Sequence, residues 1–152
     1  MENPKKYKWV KIFFIVIIAI LILFAYRNLN WYKNKHEIKN LVSNNMDFLN
    51  ECIENENYDK IYEIKEIENI RKWPLDDNEI YIDFYHHGYG MASNSTYIGF
   101  YYVSEDKPTG FQGYSYKLKP KGKGLEWKEP NGDNWYYTEK LADHWYYYEA
   151  GF

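Results

Sequence analysis

The sequence predicts an α+β fold: an N-terminal transmembrane helix leading into a long amphipathic helix, then an antiparallel sheet of five or six strands. Three observations carry that expectation. Residues 12–26 are 15 consecutive residues without a charge, and neither Pro nor Gly occurs between Pro4 and Pro74. Beyond Asp77 the apolar period changes from three-and-four to two. Strands separated by turns, with no helices between them, pair antiparallel. The implied organisation is a short basic cytoplasmic head (1–8), a transmembrane signal anchor (9–26), a helical segment (27–72) and a β domain packed with it (73–152).

The anchor comes first. Fifteen helical residues cover about 22 Å, and adding Trp9, Val10 and a snorkelling Lys11 extends the span to about 27 Å, enough to cross a bilayer. Tyr7 and Trp9 at one end, and Tyr26, Trp31 and Tyr32 at the other, suit the two interfaces. Lys5, Lys6, Lys8 and Lys11 also resemble the basic region of a secretory signal, but Phe24-Ala25-Tyr26-Arg27 lacks the small-x-small pair that cleavage needs. An uncleaved anchor is therefore expected. The short basic head argues for an inside N-terminus, with residues 27–152 outside the cytoplasmic membrane.

That outer part carries 15 basic and 21 acidic residues, a net charge of −6. So acidic a body lacks the footprint that nucleic acid requires. The mean hydropathy of −0.72 excludes a polytopic membrane protein, and a single Cys excludes an internal disulfide. No cofactor motif is present. The expected partners are the membrane itself and a cell-wall component or a partner protein.

After the anchor, Ile38, Leu41, Val42, Met46, Leu49, Cys52 and Ile53 form one apolar helical stripe. Cys52 lies on it and reads as a small buried hydrophobe. Tyr58, Ile61, Tyr62 and Ile64 suggest a shorter second helix, and Glu66–Trp73 suits either helix or strand. Asp76-Asp77-Asn78 reads as a turn. Strands are expected near 80–85, 96–103, 111–118, 125–128, 135–141 and 145–150, the last two joined by a tight turn at Ala142-Asp143-His144. Lys117, Lys119, Lys121 and Lys123 alternate, as lysines that guard an edge strand do.

The chain has 18 Tyr, 8 Phe and 6 Trp, and 21 of these 32 fall between Trp73 and Phe152. The densest groups are Trp135-Tyr136-Tyr137 and Trp145-Tyr146-Tyr147-Tyr148. As a hairpin they place rings on both faces, one facing the core. The other face makes a candidate stacking platform for a sugar ring, a quaternary ammonium or a partner protein. The candidate binding residues are Tyr89, Trp127, Trp135, Tyr136, Tyr137, His144, Trp145, Tyr146, Tyr147 and Tyr148. Tyr89 belongs to the Gly88–Ser95 loop, whose glycines and small polar residues suit recognition. Cross-strand aromatic pairing that simply holds a small sheet together explains the same residues.

Gly124-Leu125-Glu126-Trp127 followed by Asn131-Gly132-Asp133-Asn134-Trp135-Tyr136-Tyr137 resembles a choline-binding repeat. In that family the units recur in tandem at about twenty residues and choline sites form between neighbours. Here one unit is approximated, and the two Trp-Tyr-Tyr groups lie ten residues apart. Residues 80–112 with 138–152 also resemble small bacterial proteins of unknown activity that carry an N-terminal signal or anchor. An anchor running into a long helix and then a sheet is similar to pilin-like subunits, although the prepilin processing motif is missing before Ile12.

Two further readings follow. One is an envelope hydrolase or metal-dependent enzyme using His86, His87, His144 and nearby carboxylates. Adjacent strand residues point to opposite faces, so His86 and His87 are not expected to share an ion. The other is a structural subunit assembling through its helix. The leading expectation is a non-enzymatic, membrane-anchored binding module, with no catalytic or metal-ligating residue assigned.

Overall fold

The computed structural model describes residues 4–75, 79–91 and 94–152. The Asp76-Asp77-Asn78 turn, the start of the basic head and the Ala92-Ser93 centre of the Gly88–Ser95 loop lie outside the described residues. The chain divides into two compact units, residues 1–36 and 37–152. It is α+β: a long apolar N-terminal helix, then a seven-stranded antiparallel sheet.

Helix α1 (Pro4–Asn44) runs without interruption for 41 residues. Within the first unit Trp9, Phe13, Phe14, Ile15, Leu21 and Leu23 are all exposed, so the helix offers no polar face. It is long and apolar enough to cross a membrane. The absence of Pro and Gly explains its continuity past the apolar run.

In the second unit, α1 ends where the Asn45 side-chain amide donates to the Leu41 carbonyl at 2.8 Å. Helix α2 (Met46–Glu54) follows, then a 3-10 turn (Tyr58–Glu63). The stripe expected from spacing is the buried one, with Ile38, Val42, Leu49 and Cys52 at 2% exposure or less, and Ile61 of the 3-10 turn is buried too. The Cys52 thiol is pushed up by burial, as suits a small hydrophobe. Helix α2 ends at Glu54, where the polar run of residues 54–57 interrupts the apolar stripe. Asn55 Nδ2 donates to the Glu51 carbonyl at 2.8 Å, and Glu56 turns left-handed at φ +52°.

The strands are β1 (Asn69–Pro74), β2 (Ile80–Met91), β3 (Asn94–Val103), β4 (Lys119–Lys121), β5 (Gly124–Lys128), β6 (Trp135–Ala142) and β7 (Trp145–Gly151). Their spatial order is β1-β2-β3-β7-β6-β5-β4, two meanders joined by β3 and β7. Two expectations need correction. The strand count is seven, because β1 and β4 are short edge strands whose single neighbour leaves little periodic signature. Of the two forms open to residues 66–73, the strand is the one adopted, from Asn69. Residues 111–118 are not a strand: Gln112 (φ +55°) and Gly113 (φ +83°) are consecutive left-handed residues that break the extended chain. Residues 104–118 instead form a strap that carries the chain from β3 to the far edge.

Both edges are blunted against further pairing. On β1 the Ile70 N–H donates to the Tyr62 hydroxyl at 3.2 Å, and Pro74 has none to offer. On the other side β4 is Lys-Pro-Lys. Lys121 pairs with Glu126 at 2.6 Å, and Lys119 and Lys123 are exposed, as edge-guarding lysines should be.

The two faces of the sheet have different covers. One carries Ile82, Phe84, Phe100, Trp145 and Tyr147. Phe84 stacks on Phe100 at 4.8 Å, and Trp145 Nε1 donates to Asn50 Oδ1 on α2 at 3.0 Å. The opposite face carries Tyr81, Tyr101, Tyr136, Tyr146 and Tyr148, and the strap lies on it through buried Phe111. Here Tyr81, Tyr101 and Tyr146 form a ladder across β2, β3 and β7 with centroid steps of 4.9 and 5.1 Å.

The strap accounts for the preference for Tyr over Phe. An irregular buried segment must find partners for its backbone outside any ladder. The Tyr136 hydroxyl donates to the Thr109 carbonyl at 3.0 Å, and the Thr109 N–H donates to the Tyr101 hydroxyl at 3.1 Å. The Tyr146 hydroxyl donates to the Asp106 carbonyl at 2.8 Å. Each ring fills the core and its hydroxyl ties down the strap.

Candidate functional site

The ten residues singled out from sequence do not form one surface. Tyr136, Tyr137, Trp145, Tyr146, Tyr147 and Tyr148 are all at 6% exposure or less. Their rings are core on both faces of the sheet, so they offer no open platform. The physical reason is the strap, which covers the face that the hairpin pattern left unaccounted for. Trp135 is half-buried against Gly151, where a β-carbon would fall 2.1 Å from its Nε1. Tyr89 alone of the ten is exposed, at 59%. It belongs to β2 rather than to a loop, because β2 and β3 pair as far as Met91 and Asn94.

His144 is half-buried in the β6–β7 turn at φ +67°. Its Nδ1 lies 3.1 Å from the Val103 carbonyl, and its ring stacks on Tyr102 at 5.6 Å. The post is structural, and Asp106 completes it. Asp106 Oδ1 accepts from the His144 N–H at 2.8 Å and the Tyr146 hydroxyl at 2.9 Å, and Oδ2 accepts from Lys140 Nζ at 2.6 Å. The Lys140 ammonium and these donors hold the carboxyl down at about 2. Replacing Asp106 by Asn removes the ion pair and one acceptor geometry, with an expected cost of about 1 kcal/mol after solvent screening. Because the folded value is depressed, the wild-type advantage is present above about pH 4 and fades as pH falls towards 2. Urea unfolding of both proteins at several pH values measures it: the gap between them should close in acid.

His86 and His87 depart from the alternation argument. The pairing of β2 with β3 slips between Tyr85 and His87, a bulge that places one extra residue on β2. The two imidazoles then lie together at 4.8 Å rather than on opposite faces. His86 Nδ1 approaches the Glu66 carbonyl at 2.6 Å, and burial together with His86 pushes the His87 imidazole down. Among the described residues, no three His, Cys, Asp or Glu side chains converge as metal ligands.

The arrangement best suited to recognition is one that the expected 111–118 strand concealed. The strap turns Tyr114 and Tyr116 to the same side, and β5 supplies Trp127. Tyr116 stacks on Trp127 at 4.2 Å with ring planes 7° apart, and Tyr114 continues the stack at 6.2 Å and 13°. Tyr116 also meets buried Tyr136 edge-on at 6.0 Å, which seats the stack on the core. Tyr114 is 62% exposed, while Tyr116 and Trp127 are half-buried. The Tyr116 hydroxyl is pushed up by burial, with Tyr114 and the Glu129 carboxylate adding to the shift. Glu129 packs against Gly132, and its N–H donates to the Asn134 carbonyl at 2.9 Å. The result is a ledge of parallel rings with an acidic group beside it. Such a ledge stacks flat, C–H-rich rings and attracts cations. The Tyr-x-Tyr spacing at 114–116 was the available signal, since a period of two already implies one shared side.

No protein-family model matches this chain, and the comparisons with curated proteins and solved structures found no match.

Proposed function

We propose that this chain is a single-pass membrane protein, N-terminus inside, that displays residues 27–152 outside the cytoplasmic membrane as a non-enzymatic binding module. Its ligand is a cell-wall component presenting the C–H face of a sugar ring to the Tyr114–Tyr116–Trp127 ledge. The observation that carries this reading is the parallel stack itself: a row of rings rooted on the core and open at Tyr114. A rigid aromatic surface loses little entropy when a ring settles on it. The continuous apolar stretch of α1 and the basic residues before it support the anchoring and its direction.

The test uses the full chain in lipid nanodiscs, titrated with soluble peptidoglycan fragments while Trp emission is followed. A saturable change is expected, and Tyr114→Ala should weaken it about tenfold by removing one stacking partner. Tyr114 is exposed, so the same substitution should leave the unfolding midpoint nearly unchanged. Emission that stays flat through millimolar fragments, or a Tyr114→Ala protein that binds as wild type, overturns the proposal. The orientation is checked with protease added to intact spheroplasts, which should digest the C-terminal domain.

A further inference from the structure

Beneath the middle of the strap lies a set of polar groups that the binding ledge does not use. Asp83 on β2 is 4% exposed, and Tyr81 and Tyr148 are fully buried. Among the described residues, Asp83 Oδ1, the Tyr81 and Tyr148 hydroxyls and Trp73 Nε1 are buried without a well-aligned hydrogen bond, the Tyr148 hydroxyl lying towards the Asp83 carboxyl. They share one face. Trp73 is the cross-strand partner of Tyr81, Tyr101 is the partner of Asp83, and Tyr148 is the partner of Gly99 on β3. The Tyr148 and Tyr81 oxygens are electrostatic neighbours of Asp83, and the Gln112 backbone N–H lies towards the Tyr81 oxygen.

Gln112 is the left-handed residue at the centre of the strap, between buried Phe111 and Gly113. The strap's first part is tied down at Asp106 and Thr109 by tyrosine hydroxyls, whereas the Phe111–Gly113 turn sits over groups whose hydrogen bonding is incomplete. We propose that the strap is a proton-linked latch, closed tightly over a neutral Asp83 and loosened when that carboxylate ionises and must draw water to itself.

The chemistry around Asp83 sets the direction. A neutral carboxylic acid donates to one hydroxyl oxygen and accepts from another, so it leaves no charge in an apolar layer. An ionised carboxylate there lacks the solvation it has in water. The charged and titratable groups facing it are Arg71, its exposed cross-strand partner on β1, and tyrosines: Tyr81 on its own strand, Tyr101 on β3 and Tyr148 on β7. The strap's own charges lie elsewhere: Asp106 is tied to Lys140, and Glu105, Lys107 and Lys117 are exposed. Burial outweighs Arg71 and the Tyr148 hydroxyl and holds the carboxyl up at about 6. The latch therefore works in a mildly acidic range, and it holds whether or not the ledge binds sugar.

Hydrogen exchange of the full chain in nanodiscs, corrected for intrinsic rates, provides the test. Between about pH 5 and pH 7.5, protection at Gly113, Tyr114 and Tyr116 should fall about tenfold, the ratio set by a carboxyl at about 6 when closed and near 3.8 when hydrated. Amides of β3 and β7 should change less. Asp83→Asn should keep the strap protected at both pH values. Should that variant not fold, Tyr148→Phe removes a donor to the carboxylate and should move the midpoint upward. A strap whose protection does not change with pH overturns the latch. So does one that changes by the same factor as the central strands, a pH dependence that survives Asp83→Asn, or an unmoved midpoint in Tyr148→Phe.

Discussion

Trp145→Ala should destabilise the domain by about 4 kcal/mol, a large part of the 5–15 kcal/mol that holds a typical domain together. Trp145 is fully buried, and its ring packs on Phe84 at 5.6 Å, Tyr102 at 5.2 Å and Phe100 at 6.0 Å. Its Nε1–H also provides a direct side-chain hydrogen bond between β7 and α2, to Asn50. Truncation opens a cavity where helix and sheet meet and strips Asn50 Oδ1 of its donor. Denaturant unfolding of the full chain in micelles, followed by far-UV circular dichroism, measures the loss. Trp145→Phe keeps the packing and should recover roughly half of it. If Trp145→Ala unfolds at the wild-type midpoint, the placement of Trp145 between α2 and the sheet is wrong.

Asp83→Asn should act in the opposite direction and stabilise the protein at pH 7 by about 2–3 kcal/mol. The folded carboxyl stands at about 6 against 3.8 when solvated, so the native state binds its proton more tightly than the unfolded chain does. At about 1.4 kcal/mol per pKa unit, that difference is a penalty on the folded state at neutral pH. Its sign follows directly. The penalty is absent below about pH 4, grows as pH rises from 4 to 6, and is constant above. Asn carries no charge and can donate to the Tyr81 and Tyr148 oxygens, so the variant should show no slope in that window. This range lies above the one in which Asp106 acts, between about 2 and 4, so two scans of stability against pH separate the two carboxylates. A wild-type protein whose stability rises between pH 4 and 6 would contradict the burial of Asp83.

Much of the architecture was legible along the chain. The apolar run, the absence of Pro and Gly, and the Ile38–Cys52 stripe follow from local spacing, and the structure buries that stripe. Strands β2, β3, β6 and β7 were visible because they alternate between two covered faces over many residues. Edge strands β1 and β4 were harder to see, since one of their sides meets solvent and their sequences are polar and short. The aromatic hairpin was legible as a hairpin, but its residues suited an open platform and a sheet-holding core equally. Its exposure depended on residues 104–118, whose path is set by a left-handed pair at Gln112 and Gly113 that a non-glycine residue does not announce. The His86–His87 pair was hidden in the same way, because one extra residue at the bulge reverses the alternation that the argument relied on.

The sequence by itself determined an apolar helix of membrane-spanning length, an amphipathic continuation, an acidic antiparallel sheet domain and a concentration of aromatic side chains in its second half. Those properties depend on composition and on repeats of two or of three-to-four residues, which neighbours along the chain control. Only the tertiary structure decided what the aromatics do. It covered one face of the Trp-Tyr-Tyr ribbons with a strap, used tyrosine hydroxyls to hold that strap, left Tyr114, Tyr116 and Trp127 as the stacked ledge, and buried Asp83 beside Tyr148. Those outcomes depend on which surfaces a crossing segment covers, and residues as far as 40 positions apart supply the hydrogen bonds that fix its course.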